Sequence, residues 1–311
     1  MAKREAAETV KKNLRRVQTK EAALCESKLL FADDICAKVL PQTLREFRAG
    51  GRLDPDWIAE RASAYLPSFS AAPVAENAAA VSAALSAGDG IFAAECCYQL
   101  SCALENALRK KDFLPAAFGG GRIGACKCVS MIKADTFSDI FTVLQNRKKG
   151  LTAFYGQSFA DVLERVEDGS ADGCILPIEN DRDGALIGAW KSICAQDLFL
   201  SHICVKNDSS GASAKFALLC RGFSDIIESS EQMRLYLRLV CNASFHRLLS
   251  VLPVLRVELR STFSIPLSYT DGNAQICAFG GTDAALFSLL LWLCVMKADA
   301  TLLGICSEEE E

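Results

Sequence analysis

Residues 158–180 constrain this chain more than any other stretch. Val162, Leu163 and Val166 recur at helical spacing, and Gly169 follows where a left-handed cap residue belongs. Cys174 opens a short apolar run that ends at Pro177 and Ile178, closed by the polar pair Glu179 and Asn180. Helix, tight turn, buried strand and polar loop follow one another. That succession predicts a strand whose C-terminal edge presents a ligand in an open α/β sheet.

The surrounding sequence continues the alternation. It predicts strands at 128–132, 152–154, 174–178, 198–205 and 215–220, with helices at 138–144, 159–166 and 185–193 between them. Alternation of this kind means an α/β lobe, placed at 123–223. A second unit follows at 230–307. It reads as strand 233–240, helix 245–252, strands 256–265 and 275–279 joined by a turn at 270–273, helix 284–296 capped by Thr282 and Asp283, and strand 301–305. That βαββαβ order is the ferredoxin-like plan. The first 122 residues read as a helical region. Gly119, Gly120 and Gly121 read as a flexible joint, because no Lys-Ser/Thr pair follows them.

Composition excludes several classes. A net charge of −4 leaves no electrostatic footprint for nucleic acid. The longest strongly apolar run, 286–296, is too short to cross a bilayer, and the first twenty residues lack the apolar core of a signal peptide. Fifteen scattered cysteines argue for a reducing compartment, so a soluble cytoplasmic protein is expected. Cys96, Cys97, Cys126 and Cys128 fall in close pairs, but His202 and His246 lie far from both; no metal and no cofactor are expected. The Glu308–Glu311 run reads as a solvated tail, and Trp190 as a core residue.

The run Pro177, Ile178, Glu179, Asn180, with Gly184 beyond it, resembles the hallmark of the prephenate dehydratase family. Thr136, Phe137 and Ser138 resemble that family's early Gly-Thr-Phe-Ser loop, with Asp135 in place of the glycine. The resemblance implies a periplasmic-binding-protein-like α/β lobe, followed by an ACT-like module that binds L-phenylalanine and assembles a homo-oligomer. It implies a cofactor-free lyase of phenylalanine biosynthesis that converts prephenate to phenylpyruvate, water and CO2. Asn180, Ser213 and Lys215 would then be catalytic. Thr136, Ser138, Glu179 and Phe216 would bind an aromatic or prephenate-like substrate. Ala243, Ser244, Phe245, Glu258 and Arg260 would bind the effector.

The departures from that pattern matter as much. The family's Thr-Arg-Phe strand matches Ala214, Lys215 and Phe216, so the key hydroxyl is gone. Ser213 is one residue away and belongs to the other face of a strand, reaching the site only through a bulge. Lysine loses bidentate carboxylate binding, and Asp181 adds negative charge beside a dianionic substrate. Only residues 206–214 stand where the family carries a second lobe. Three readings follow: an enzyme of weakened or lost activity, a non-catalytic aromatic amino-acid-binding regulator, or a protein whose ACT-like unit mediates assembly.

Overall fold

The structure, a computed structural model, describes residues 11–20, 90–107, 123–124, 126–196, 198–207, 211–221, 223–224, 233–267, 272–296 and 298–310, with the single positions 23, 30, 37, 41 and 45. The expected glycine joint at Gly119, Gly120 and Gly121 and most of the expected N-terminal helices lie outside the described residues. The fold is mixed α/β.

Along the chain the elements are α1 (Ile91–Ala107), β1 (Ile123–Gly124), β2 (Cys128–Ile132), α2 (Asp135–Arg147), β3 (Thr152–Gly156), α3 (Phe159–Glu167), β4 (Gly173–Asn180), β5 (Gly184–Ala185) and α4 (Ile187–Ala195). Then come β6 (Phe199–Asn207), β7 (Ser213–Cys220), β8 (Phe223–Ser224), β9 (Met233–Leu239), α5 (Asn242–Leu255), β10 (Glu258–Pro266), β11 (Asn273–Gly280), α6 (Asp283–Val295) and β12 (Ala300–Glu310).

One ten-stranded sheet runs β10-β11-β9-β12-β6-β7-β4-β2-β3, with β5 paired to β4. Strands β9 to β12 take the ferredoxin-like order, every neighbour antiparallel. The unexpected feature is the seam. Strand β12 also pairs with β6, in parallel, so both expected units share one continuous sheet. Where sequence reading places a solvated tail after residue 307, the strand continues to Glu310. It does so because β6 offers an open edge, whose unpaired amides and carbonyls need partners.

Three apolar clusters hold the layers. Helices α1, α5 and α6 cover one face of β9–β12. Helix α2 covers the same face farther along, over β2, β4 and β7. Helices α3 and α4 cover the opposite face, and their cluster crosses the seam to Tyr236, Ile276 and Ala278. Trp190 of α4 stands at that crossing, its ring stacked 5.7 Å from Tyr236 and tilted 5.1 Å from Phe263. Helix α6 is apolar on all sides because it is enclosed on all sides: the sheet lies below it, and α1 lies above it with Trp292 Nε1 donating to Gly90 O at 2.9 Å.

Candidate functional site

The parallel strands β2, β3 and β4 end at one edge of the sheet, and the first turns of α2, α3 and α4 gather there. Ser158 begins α3 by accepting from Asp161 N at 3.2 Å. Strand β4 lies antiparallel to β7, with Asn180 opposite Ala214, Glu179 opposite Lys215 and Pro177 opposite Phe216. A bulge falls between Pro177 and Glu179, where proline has no amide to give. The bulge in β7 that Ser213 would need to reach the site is not there; β7 is regular. Alternation therefore puts Ser213 on the face of Lys215 and Ala214 on the face of Phe216.

Asn180 is occupied by its own turn. Its Oδ1 accepts from Arg182 N at 3.0 Å and Asp183 N at 2.6 Å, and its Nδ2 donates to Asp183 Oδ2 at 3.2 Å. The neighbouring Asp181 clamps the two strands. Its amide donates to Ser213 O at 3.0 Å and its Oδ2 accepts from Ser213 N at 2.6 Å. The acidic residue that looked misplaced for a dianionic substrate thus closes the end of the β4–β7 ladder. Glu179 and Asn180 do not cap the following helix: α4 starts after Leu186, which offers no side-chain cap.

Lys215 is not solvent-facing. Its Nζ lies 2.7 Å from Glu308 Oε1 and 3.7 Å from Glu179 Oε1, and Glu308 Oε2 lies 3.4 Å from Arg234 Nε. Burial alone would push the Lys215 ammonium down. The hydrogen bond and charge of Glu308, then the charge of Glu179, outweigh it and hold its pKa above the ordinary lysine value. Phe216 is buried against Phe137, ring centroids 5.3 Å apart and edge to face. At the start of α2, Ser138 Oγ donates to Ala134 O at 3.1 Å, and Thr136 is exposed in the first turn. Lys206 ties α2 to β6 by pairing with Asp139.

The expected effector residues separate. Phe245 packs on the α1–α5–α6 side, whereas Arg260 pairs with Glu258 at 2.6 Å and turns to the opposite face, over Gly280 beside Arg234. Ala243 and Ser244 lie in the first turn of α5. Sequence reasoning missed Glu308, Arg234 and the buried pair His202 Nδ1···Ser307 Oγ at 2.7 Å. No motif marks them; they meet only because β12 joins β6. The alternation of charge along one sheet row was legible only once strand order was known.

Beside this row, on the face of α3 and α4, an apolar pocket of about 330 Å³ is lined by Phe159, Leu163, Leu176, Pro177 and the first turn of α4. The first intrahelical bond of α4 is Trp190 N to Leu186 O at 3.2 Å, so the Ile187, Gly188 and Ala189 amides precede it. Among the described residues no group of three His, Cys, Asp or Glu could hold a metal ion, and no helix is long and apolar enough to cross a membrane. Cys126 lies against Cys220, and that hydrogen bond together with burial pushes its thiol far up.

No protein-family model and no curated protein matches the sequence. Among solved structures, the chain is similar to a prephenate dehydratase from Streptococcus mutans at 14% identity and a TM-score of 0.49, over 60% of this chain and 100% of that one. It is similar to GqqA, described as a novel type of quorum quenching acylase, at 16% identity and a TM-score of 0.46, over 59% and 96% of the two chains. A third is the prephenate dehydratase from Arthrobacter aurescens in complex with L-Phe, at 12% identity and a TM-score of 0.44, over 58% and 89%.

Proposed function

We propose that this chain is a prephenate dehydratase-like protein that has lost the dehydration reaction and binds a small aromatic carboxylate without turning it over. The carrying observation is the state of Lys215. The cation that would hold a substrate carboxylate stands between Glu308 and Glu179. A substrate carboxylate has to displace Glu308 to reach Lys215, and Glu179 stands 3.7 Å away on the motif's own side. Loss of the hydroxyl adds to this. Ala214 stands opposite Asn180, and Asn180 spends its amide on its own turn. Among the described residues no donor is placed for a leaving hydroxide.

What remains is suited to binding. The pocket between α3 and α4 is apolar, of a volume that holds one aromatic ring, and the first turn of α4 forms part of its wall. A ring in the pocket and a carboxylate on the first turn of α4 give the ligand class: L-phenylalanine, phenylpyruvate and their relatives. The ferredoxin-like, ACT-like unit then serves regulation and assembly.

Purified protein given prephenate should form phenylpyruvate no faster than the protein-free control, and Ala214→Thr should not restore it. Calorimetry with L-phenylalanine and phenylpyruvate should show binding. Gly188→Leu should weaken it at least tenfold while keeping the fold, since a Cβ at Gly188 meets nothing within 4 Å. Clear turnover by the unmodified protein overturns the proposal, and so does affinity unchanged by Gly188→Leu.

A further inference from the structure

The row of charges across the seam extends well beyond Lys215, whose pairing with Glu308 enters the reading above. Three cations stand on one face: Lys215 on β7, Arg234 on β9 and Arg260 on β10. One carboxylate, Glu308, bridges the first two with its two oxygens, 2.7 Å to Lys215 Nζ and 3.4 Å to Arg234 Nε. This is how two cations hold the carboxylate of a ligand. The side chain is only 16% exposed, with Lys215 at 26% and Arg234 at 18%, so the bridge is formed in a largely desolvated place.

The third cation extends the same surface. A Cβ at Gly280 would lie 2.8 Å from Arg260 Nε and 3.2 Å from Arg234 Nη1, so the missing side chain there lets both guanidinium groups converge. Among the described residues Arg260 pairs with Glu258, whose side chain is 64% exposed. An exposed pair of that kind is weak.

The segment that carries Glu308 loses one of its two strand partners. Strand β12 pairs with β9 as far as Ser307, and from Glu308 to Glu310 it pairs with β6 alone, in parallel.

We propose that Lys215, Arg234 and Arg260 form an anion site for a small dicarboxylate, and that Glu308 is its built-in, displaceable occupant. One carboxylate of the ligand takes the place of Glu308 between Lys215 and Arg234. The other meets Arg260 over Gly280. Ligand entry frees residues 308–310 from β6, which makes this stretch of the seam responsive to an acidic metabolite. The site is separate from the pocket between α3 and α4.

Malonate is the probe, with sodium chloride at matched ionic strength as control, because salt alone screens these pairs. In the unmodified protein, saturating malonate should speed hydrogen exchange at the amides of residues 308–310 at least fivefold over the salt control, leaving β9 unchanged. Calorimetry should show malonate binding at least tenfold tighter in Glu308→Gln than in the unmodified protein, and Lys215→Met added to Glu308→Gln should abolish it. Exchange at 308–310 that ignores saturating malonate overturns the proposal. So does equal malonate affinity with and without Glu308 in folded protein. Gly188→Leu should leave malonate binding intact, so failure of the aromatic pocket and failure of this site read out separately.

Discussion

His202 is buried, hydrogen-bonded to Ser307 across the seam, and held neutral: burial first, and the charge of Arg147 second, push its pKa down to about 4. The unfolded chain binds this proton near pH 6.5, the folded chain only near 4. Between those values the unfolded state carries more protons, so stability rises with pH across the window and is fully present above it. This one group accounts for roughly 3 kcal/mol. Urea unfolding midpoints measured from pH 4 to 7 should climb, and His202→Gln should flatten that climb. At the same scale, Asn180→Ala removes the acceptor of two turn amides and the donor to Asp183. It should cost about 1–2 kcal/mol in urea unfolding. The turn was visible in sequence as a polar pair after an apolar run; its inward-looking bonding was not, since only the fold shows which amides lie in reach.

Elements carry the next set of consequences. Gly304 sits where β12 leaves its regular pairing with β9 and meets β6; a Cβ there would lie 2.3 Å from Leu200 O. Backbone cannot yield as a side chain tip can. Gly304→Ala should destabilise by about 3 kcal/mol, read as a fall in the midpoint of thermal unfolding. Trp190 belongs to α4 but packs on Tyr236 and Phe263 of the ferredoxin-like unit, and its Nε1 donates to Ile178 O at 3.1 Å. Trp190→Ala should cost roughly 4 kcal/mol, measured by the same unfolding curves. Sequence periodicity found most elements, because helix and strand spacing are local properties. It ended β12 too early, because a run of four glutamates reads as solvent-loving until Lys215 and Arg234 are known to face Glu308.

For the whole molecule, the sheet and the core of α3 and α4 both cross from one expected unit into the other. The two units should therefore melt together. Single-tryptophan variants keeping Trp190 in the seam core or Trp292 in the α1–α6 core should show coincident urea transitions. Two separated transitions would mean that the seam contributes little. The α/β alternation and the βαββαβ order were readable from residue pattern, and both are present. Their fusion was not readable, since the pairing of β6 with β12 is a contact between distant segments that no local pattern encodes.

The pair His202 and Ser307 is 105 residues apart in sequence. The central junction of the sheet is thus a long-range event, reached only after most local structure has formed. Until β12 arrives, β6 and β9 each carry a bare edge, and such edges pair with whatever strand is near. The slowest folding phase of this protein should be the closing of that gap. The yield of folded molecules should fall steeply with protein concentration during refolding, because a neighbouring chain competes for the same opening.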